Sequence, residues 1–237
     1  MKEILIKSIR EIDKEYFNHE NTSVKDEEII ADSKNKMNAS ESTFTADLRG
    51  NLKSNLKIEN LSFRIDLEHS KQLVYSDRPT PKEIRDSYDK IFNKITQKNF
   101  EDDFKLHRIP DLIIHKSVKS KKAEDQLLVS EIKTDPDISE DDFYADFFKI
   151  NMFMSELNFQ HGAFIAANVD HRKIVRWLTN YINEDLFINQ VNRNIYLINI
   201  DKEVSKISIC DFSKITIQPG KAQATYIENQ YEFLSYS

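Results

Sequence analysis

Arg108-Ile109-Pro110-Asp111-Leu112-Ile113-Ile114, followed by Leu127-Leu128-Val129-Ser130-Glu131-Ile132-Lys133, is the stretch that decides how this chain folds. Each half carries an apolar run of strand length. Asp111 opens the first run, and Glu131-Ile132-Lys133 closes the second. The connection is short and polar, so the simplest pairing is a hairpin of adjacent strands around 111–116 and 126–133. Two carboxylates and one amine then stand at strand ends. Such a set can hold a divalent metal and activate a water against a phosphodiester.

The chemistry sets the roles. Phosphodiester hydrolysis needs a cation against the charge that grows on the scissile phosphate, and a water that loses its proton near neutral pH. Mg²⁺, for which Mn²⁺ is the expected substitute, prefers oxygen ligands and commonly takes only one or two protein carboxylates. Asp111 and Glu131 meet that need, and the backbone carbonyl of Ile132 offers a further ligand. Lys133 leaves the strand on the same face as Glu131. It serves either as an ammonium at the water and phosphate or, with a lowered pKa, as a base. The sequence leaves both roles open.

Working outward, residues 2–17 carry Ile4, Leu5, Ile9, Ile12 and Phe17 at roughly helical spacing. Residues 18–39 are polar and read as a loop, with a short helix near 26–31. Phe44, Leu48, Leu52 and Leu56 recur every four residues, which predicts a helix over 40–56 with Ser40 as its cap. Glu41 lies three residues before Phe44, near the apolar stripe. An inward acid is unexpected on a purely structural helix, although the helix dipole also favours an acid near an N-terminus. Leu61, Phe63, Ile65 and Leu67 alternate with polar residues, as in a half-buried strand whose Asp66 and Glu68 face solvent. Pro81 opens a helix to about Gln97, and Glu101–Asp103 reads as a loop. Beyond the hairpin come a helix over 141–157, a buried strand over 162–168, a helix over 171–187 with Trp177 in its core face, and two short strands over 195–200 and 206–212. The tail to Ser237 is aromatic, and its structure is not legible.

Pro110-Asp111 and Glu131-Ile132-Lys133, each attached to an apolar strand, resemble the signature of the PD-(D/E)xK nuclease superfamily, which includes many restriction endonucleases. Many members place a glutamate on a helix before the first core strand, and Glu41 occupies that place. The order of strands and helices over about 40–170 follows the family. Asp146 and Lys149 resemble an Asp-x-x-Lys pair of small bacterial members. The resemblance implies an α/β fold, with a restriction-endonuclease-like core of a mixed sheet flanked by helices. It covers about 40–170, so the chain reads as an N-terminal helical and polar extension (1–39), a nuclease core (40–170), and a C-terminal helix with short strands (171–237) packed on the same domain. It further implies a Mg²⁺-dependent endonuclease with Glu41, Asp111, Glu131 and Ile132 around the metal. Asp111, Glu131 and Lys133 are then the catalytic residues. DNA is the implied substrate, in restriction, phage defence or mobile-element biology, with RNA left open. A homodimer would serve double-strand cleavage, which usually requires two sites. Lys116, Lys119, Lys121, Lys122 and Lys149 are the expected phosphate contacts.

Composition removes other classes. The 237 residues suit one large domain or a domain with an elaboration. Three glycines are too few for a Gly-rich phosphate loop, and neither GxGxxG nor GxxxxGK[ST] occurs. Cys210 is the sole cysteine, so no disulfide forms within the chain and a reducing cytoplasm fits best. Residues 1–17 are charged throughout, unlike a signal peptide, and no run approaches a membrane-spanning length. A net charge of −6 argues against nonspecific coating of nucleic acid, while leaving room for a local basic groove. A catalytically silent binding or scaffold module on the same fold, or an effector activated by a ligand or partner, stays as the alternative.

Overall fold

The structure, a computed structural model, describes residues 1–13, 30–67 (backbone only over 30–40), 82, 86, 89–91, 110–117, 120, 122–187, 193–201 and 206–235. Its centre is a mixed seven-stranded sheet whose strands stand in chain order. They are β1 (Arg64–Leu67), β2 (Leu112–His115), β3 (Gln126–Lys133), β4 (His161–Ala167), β5 (Ile195–Asp201), β6 (Lys206–Asp211) and β7 (Tyr231–Ser235). β1, β2 and β3 pair antiparallel, β3, β4 and β5 pair parallel, and β5, β6 and β7 are antiparallel again. Residues 171–237 therefore extend the same sheet.

The helices are α1 (Lys2–Arg10), α2 (Ile30–Ile58), α3 (Glu140–Leu157), α4 (His171–Asn183) and α5 (Ala224–Glu228). Parallel neighbours need crossovers, and α3 and α4 provide them. Both crossovers step the same way along the sheet, so both helices fall on one face. Phe143, Phe147, Phe148, Ile150, Trp177 and Tyr181 pack there against Ile113, Val129, Phe164 and Leu197. The other face buries Leu112, Ile114, Leu128, Ile132 and Ile165 under Leu5 and Ile9 of α1 and the four-spaced Phe44, Leu48, Leu52 and Leu56 of α2. The result is a helix–sheet–helix sandwich with two cores. Among the described residues no helix is long and apolar enough to cross a membrane.

Several sequence-based boundaries shift. α1 ends at Arg10, and the expected continuation to Phe17 lies outside the described residues. α2 begins at Ile30, so residues 30–39 are helix rather than loop, and Ser40 lies inside the helix rather than at its start. Polar side chains are no bar to helix where no proline intervenes. α2 stops where Asn60 turns left-handed (φ 56°) and the Leu61 amide donates to the Leu56 carbonyl at 2.9 Å. Leu61 thus belongs to the helix stop, and the strand begins only at Arg64. α3 starts at a reciprocal cap: the Asp142 amide donates to Ser139 Oγ at 3.1 Å, and the Ser139 amide donates to Asp142 Oδ2 at 3.0 Å. The tail that the sequence left unplaced folds as α5 and β7. Of the helix expected from Pro81 to Gln97, residues 82, 86 and 89–91 are described and are helical. The loops at 18–29 and 101–103 lie outside the described residues.

Candidate active site

The hairpin register places the first acids. Leu112 pairs with Ser130 and Ile113 with Val129, so Asp111, one residue before β2, comes alongside the last residues of β3. Asp111 Oδ2 accepts a hydrogen bond from the Ile132 amide at 2.6 Å. The amide and carbonyl of one extended residue leave the strand on the same side, so the Ile132 carbonyl also points past the start of β2.

Side chains alternate along β3. Ile132 enters the core under α1 and α2, while Glu131 and Lys133 face α3. There they meet Asp146 and Lys149, one helical turn apart on the inner face of α3. Lys149 Nζ lies 2.6 Å from Glu131 Oε2 and 3.3 Å from Asp146 Oδ1. Lys133 Nζ lies 3.2 Å from Asp146 Oδ2. Asp146 therefore bridges both lysines. Glu41 approaches from the opposite layer at the rim of the sheet, where the Thr134 amide hydrogen-bonds to its carboxyl. Asp111, Asp146 and Lys133 all act on that carboxyl through their charge. Glu41 lies well inside α2, beyond the first turn where a helix dipole acts, so the dipole does not account for it.

Burial dominates the electrostatics. It pushes the Glu131 carboxyl well above the ordinary range; Lys149 opposes the rise, and Asp111 and Asp146 add to it. Burial likewise raises Asp111, against the pull of Lys133 and Lys149, and raises Glu41, against the pull of Lys133. For the lysines, burial alone would favour the neutral amine. The surrounding carboxylates outweigh it, Asp146 foremost at Lys133 and Glu131 foremost at Lys149, and both are held as ammoniums above the usual lysine range. A base role for Lys133 in this state is thereby disfavoured. When all are ionised, the carboxylates of Glu41, Asp111, Glu131 and Asp146 face the ammoniums of Lys133 and Lys149, which leaves two negative charges in excess.

A divalent cation would cancel that excess. Every donor here is a hard oxygen, the class that Mg²⁺ takes. Glu131 Oε1 is buried with no hydrogen-bond partner among the described residues, as expected for an oxygen kept for a ligand. The site is not a finished cage: among the described residues no group of three His, Cys, Asp or Glu side chains is disposed to hold a metal ion as it stands. Asp111 is engaged by the Ile132 amide and Glu131 Oε2 by Lys149. Because Mg²⁺ commonly takes one or two protein carboxylates and keeps several waters, the donor set still fits it.

The expected phosphate contacts fare differently. Lys116 and Lys122 are exposed, but they flank the turn between β2 and β3, at the far end of both strands from Asp111 and Glu131. Five residues of strand put about 15 Å between that turn and the acids. Lys116 instead lies 3.7 Å from Asp125 and 5.3 Å from the centre of the Phe63 ring. Lys119 and Lys121 lie outside the described residues. Lys149 is 7% exposed and paired beneath Glu131, so it supports the acids rather than touching a phosphate. Asp66 does not face solvent as the alternation suggested: its Oδ2 lies 2.8 Å from Nε2 of the fully buried His115, which makes His115 a structural residue of the β1–β2 pair. Glu68 lies outside the described residues.

Asp146, which joins Lys133 and Lys149 in this cluster, is the member that was hardest to read from the sequence. Its signal was present in the Asp-x-x-Lys spacing, but an i,i+3 pair on a helix is ordinarily a surface ion pair. Only the direction of the inner face of α3 reveals it. Comparison with known proteins finds no match for this chain among family models, curated proteins or solved structures.

Proposed function

We propose that this chain is a metal-dependent nuclease of the PD-(D/E)xK type that hydrolyses DNA phosphodiester bonds, in restriction, phage defence or mobile-element biology within the cytoplasm. One observation carries the reading: Glu41 from α2, Asp111 before β2, and Glu131 and Lys133 from β3 gather at one rim of the sheet, three carboxyl groups around one ammonium. Raised carboxylate pKa values gathered at one point are a mark of functional sites. Asp111, Oε1 of Glu131, the Ile132 carbonyl and Glu41 are the groups that would hold Mg²⁺ or Mn²⁺. When bound, the cation lowers the pKa of a coordinated water and stabilises charge on the phosphate.

The protein's own groups do the rest. Lys133 is 22% exposed and held as an ammonium, so it can reach a phosphate oxygen and orient the attacking water as a fixed charge. Asp146 steers it by binding from the side of α3. Asp111 is set in place by the Ile132 amide before any substrate arrives. DNA rather than RNA follows from the family resemblance, and double-strand cleavage would engage two copies of the chain.

Incubation of plasmid and linear DNA with Mg²⁺ or Mn²⁺ tests this. Cleavage by the parent that is lost in Asp111→Asn and Lys133→Ala is the expected result; equal cleavage by parent and Lys133→Ala contradicts it. A second reading, a silent binding or scaffold module, draws on the net charge of −6 and on the placement of Lys116 and Lys122 away from the acids. A chain that takes up no divalent cation and cuts no DNA would favour that module.

A further inference from the structure

The ion pairs beneath the acid cluster carry an inference that rests on the metal-dependent reading above. Glu131 is fully buried, and its two oxygens are treated differently. Oε2 accepts from Lys149 Nζ at 2.6 Å, while Oε1 has no hydrogen-bond partner among the described residues. Lys149 is steadied by Asp146 Oδ1 at 3.3 Å, and Asp146 is steadied in turn by Lys133 at 3.2 Å. The anchoring groups sit on α3, which packs on the sheet through Phe143, Phe147 and Ile150. A carboxylate fixed at one oxygen by a rigid partner is also fixed at the other.

We propose that Lys149 is a positioning residue for the metal: its ammonium, steadied by Asp146, holds Oε2 of Glu131 so that Oε1 is presented to a divalent cation. Groups that orient a metal ligand commonly contribute tenfold to a hundredfold in metal affinity. Charge alone argues the other way, because removing a nearby ammonium strengthens cation binding by Coulomb's law. The sign of the change therefore separates positioning from simple repulsion.

The experiment is a calorimetric titration of Mn²⁺ into the full chain without DNA, comparing the parent with Lys149→Met and Asp146→Asn, each checked for a cooperative thermal transition. Lys149→Met should weaken Mn²⁺ binding by about tenfold to a hundredfold, and Asp146→Asn by at least about threefold. Unchanged or tighter binding in Lys149→Met overturns the proposal. If Lys149→Met does not fold, the decision passes to Lys149→Gln, titrated in the same way, which removes the charge at similar length; unchanged or tighter binding there overturns it equally. A parent that takes up no Mn²⁺ fails the metal-dependent reading itself, an outcome distinct from a binding parent with equally binding variants.

Discussion

Two of the ion clusters among the described residues have opposite electrostatics. In the first, Glu232 of β7 is shared by Lys2 of α1 and Lys214, each at 2.7 Å. Cations outnumber the acid, the groups are open to water, and hydrogen bonds from Lys2 and Lys214 pull the Glu232 carboxyl down to about 2. In the second, Glu131, Lys149, Asp146 and Lys133 are linked at 2.6–3.3 Å; with the neighbouring Asp111 and Glu41 counted, four acids face two cations, and burial pushes Glu131, Asp111 and Glu41 upward. The excess cation of the first cluster is solvated, because its groups are open to water. The second stays unbalanced unless a cation or protons join it. A buried charge lacking full compensation is costly, and a fold that keeps such a set suggests a use for it.

The sharpest way to break this contrast is substitution within the buried cluster. Glu131→Gln keeps the shape and removes the charge, and it should lower DNA cleavage by about 10²–10³-fold in a plasmid-nicking assay, the size typical of losing one electrostatic group in a catalytic site. Glu232→Gln should leave cleavage unchanged.

The frame that presses α3 onto the sheet gives a second test. Gly162 of β4 has no space for a side chain: a Cβ there would stand 2.4 Å from Ile150 Cγ2 and 2.7 Å from Met154 Sδ. Gly162→Ala should destabilise the protein by about 1–3 kcal/mol through overpacking, read as a lower unfolding midpoint in calorimetry. Its Mn²⁺ affinity should fall as well, because α3 carries Asp146 and Lys149.

The pH dependence of stability distinguishes the clusters more gently. Glu131, Asp111 and Glu41 have carboxyls raised in the fold, so the folded state binds more protons than the unfolded chain between the unfolded and folded values. Their contribution favours folding at low pH and is lost as pH rises through that window. With chelator present, the unfolding midpoint should fall by a few degrees as pH rises above the ordinary carboxylate range, at about 2–4 °C per kcal/mol for a chain of this size. Mn²⁺ should flatten the slope. Glu232 has the opposite sign: its support is present above its unfolded value and is lost as pH falls toward about 2. Because it is solvent-screened, Glu232→Gln should move the midpoint at neutral pH by no more than about 3 °C.

Much of this was legible from residues. The hairpin was readable because two apolar runs of strand length flank a polar connection, and the antiparallel register Leu112–Ser130 follows it. The four-spaced Phe44, Leu48, Leu52 and Leu56 gave the buried stripe of α2, because packing repeats with the helical period. The start of that helix was not legible, since residues 30–39 show no apolar period. β7 was hidden for a related reason: Glu232 and Phe233 are both exposed, so the strand does not alternate cleanly. At the site, Asp111, Glu131 and Lys133 were readable from their places at strand ends. The partnership of Lys149 with Glu131 was not, because it joins residues on different elements and depends on how α3 is rotated against the sheet. The distance of Lys116 and Lys122 from the acids was not legible, because sequence proximity to a strand does not say at which end of the strand a turn lies.

Anomalous scattering from crystals grown with Mn²⁺ tests the central claim most directly. The account predicts a single strong peak, or a close pair, bounded by Glu41, Asp111 and Oε1 of Glu131, with Lys149 still on Oε2. Crystals that bind Mn²⁺ elsewhere, or that leave these acids without a peak at saturating Mn²⁺, would contradict it.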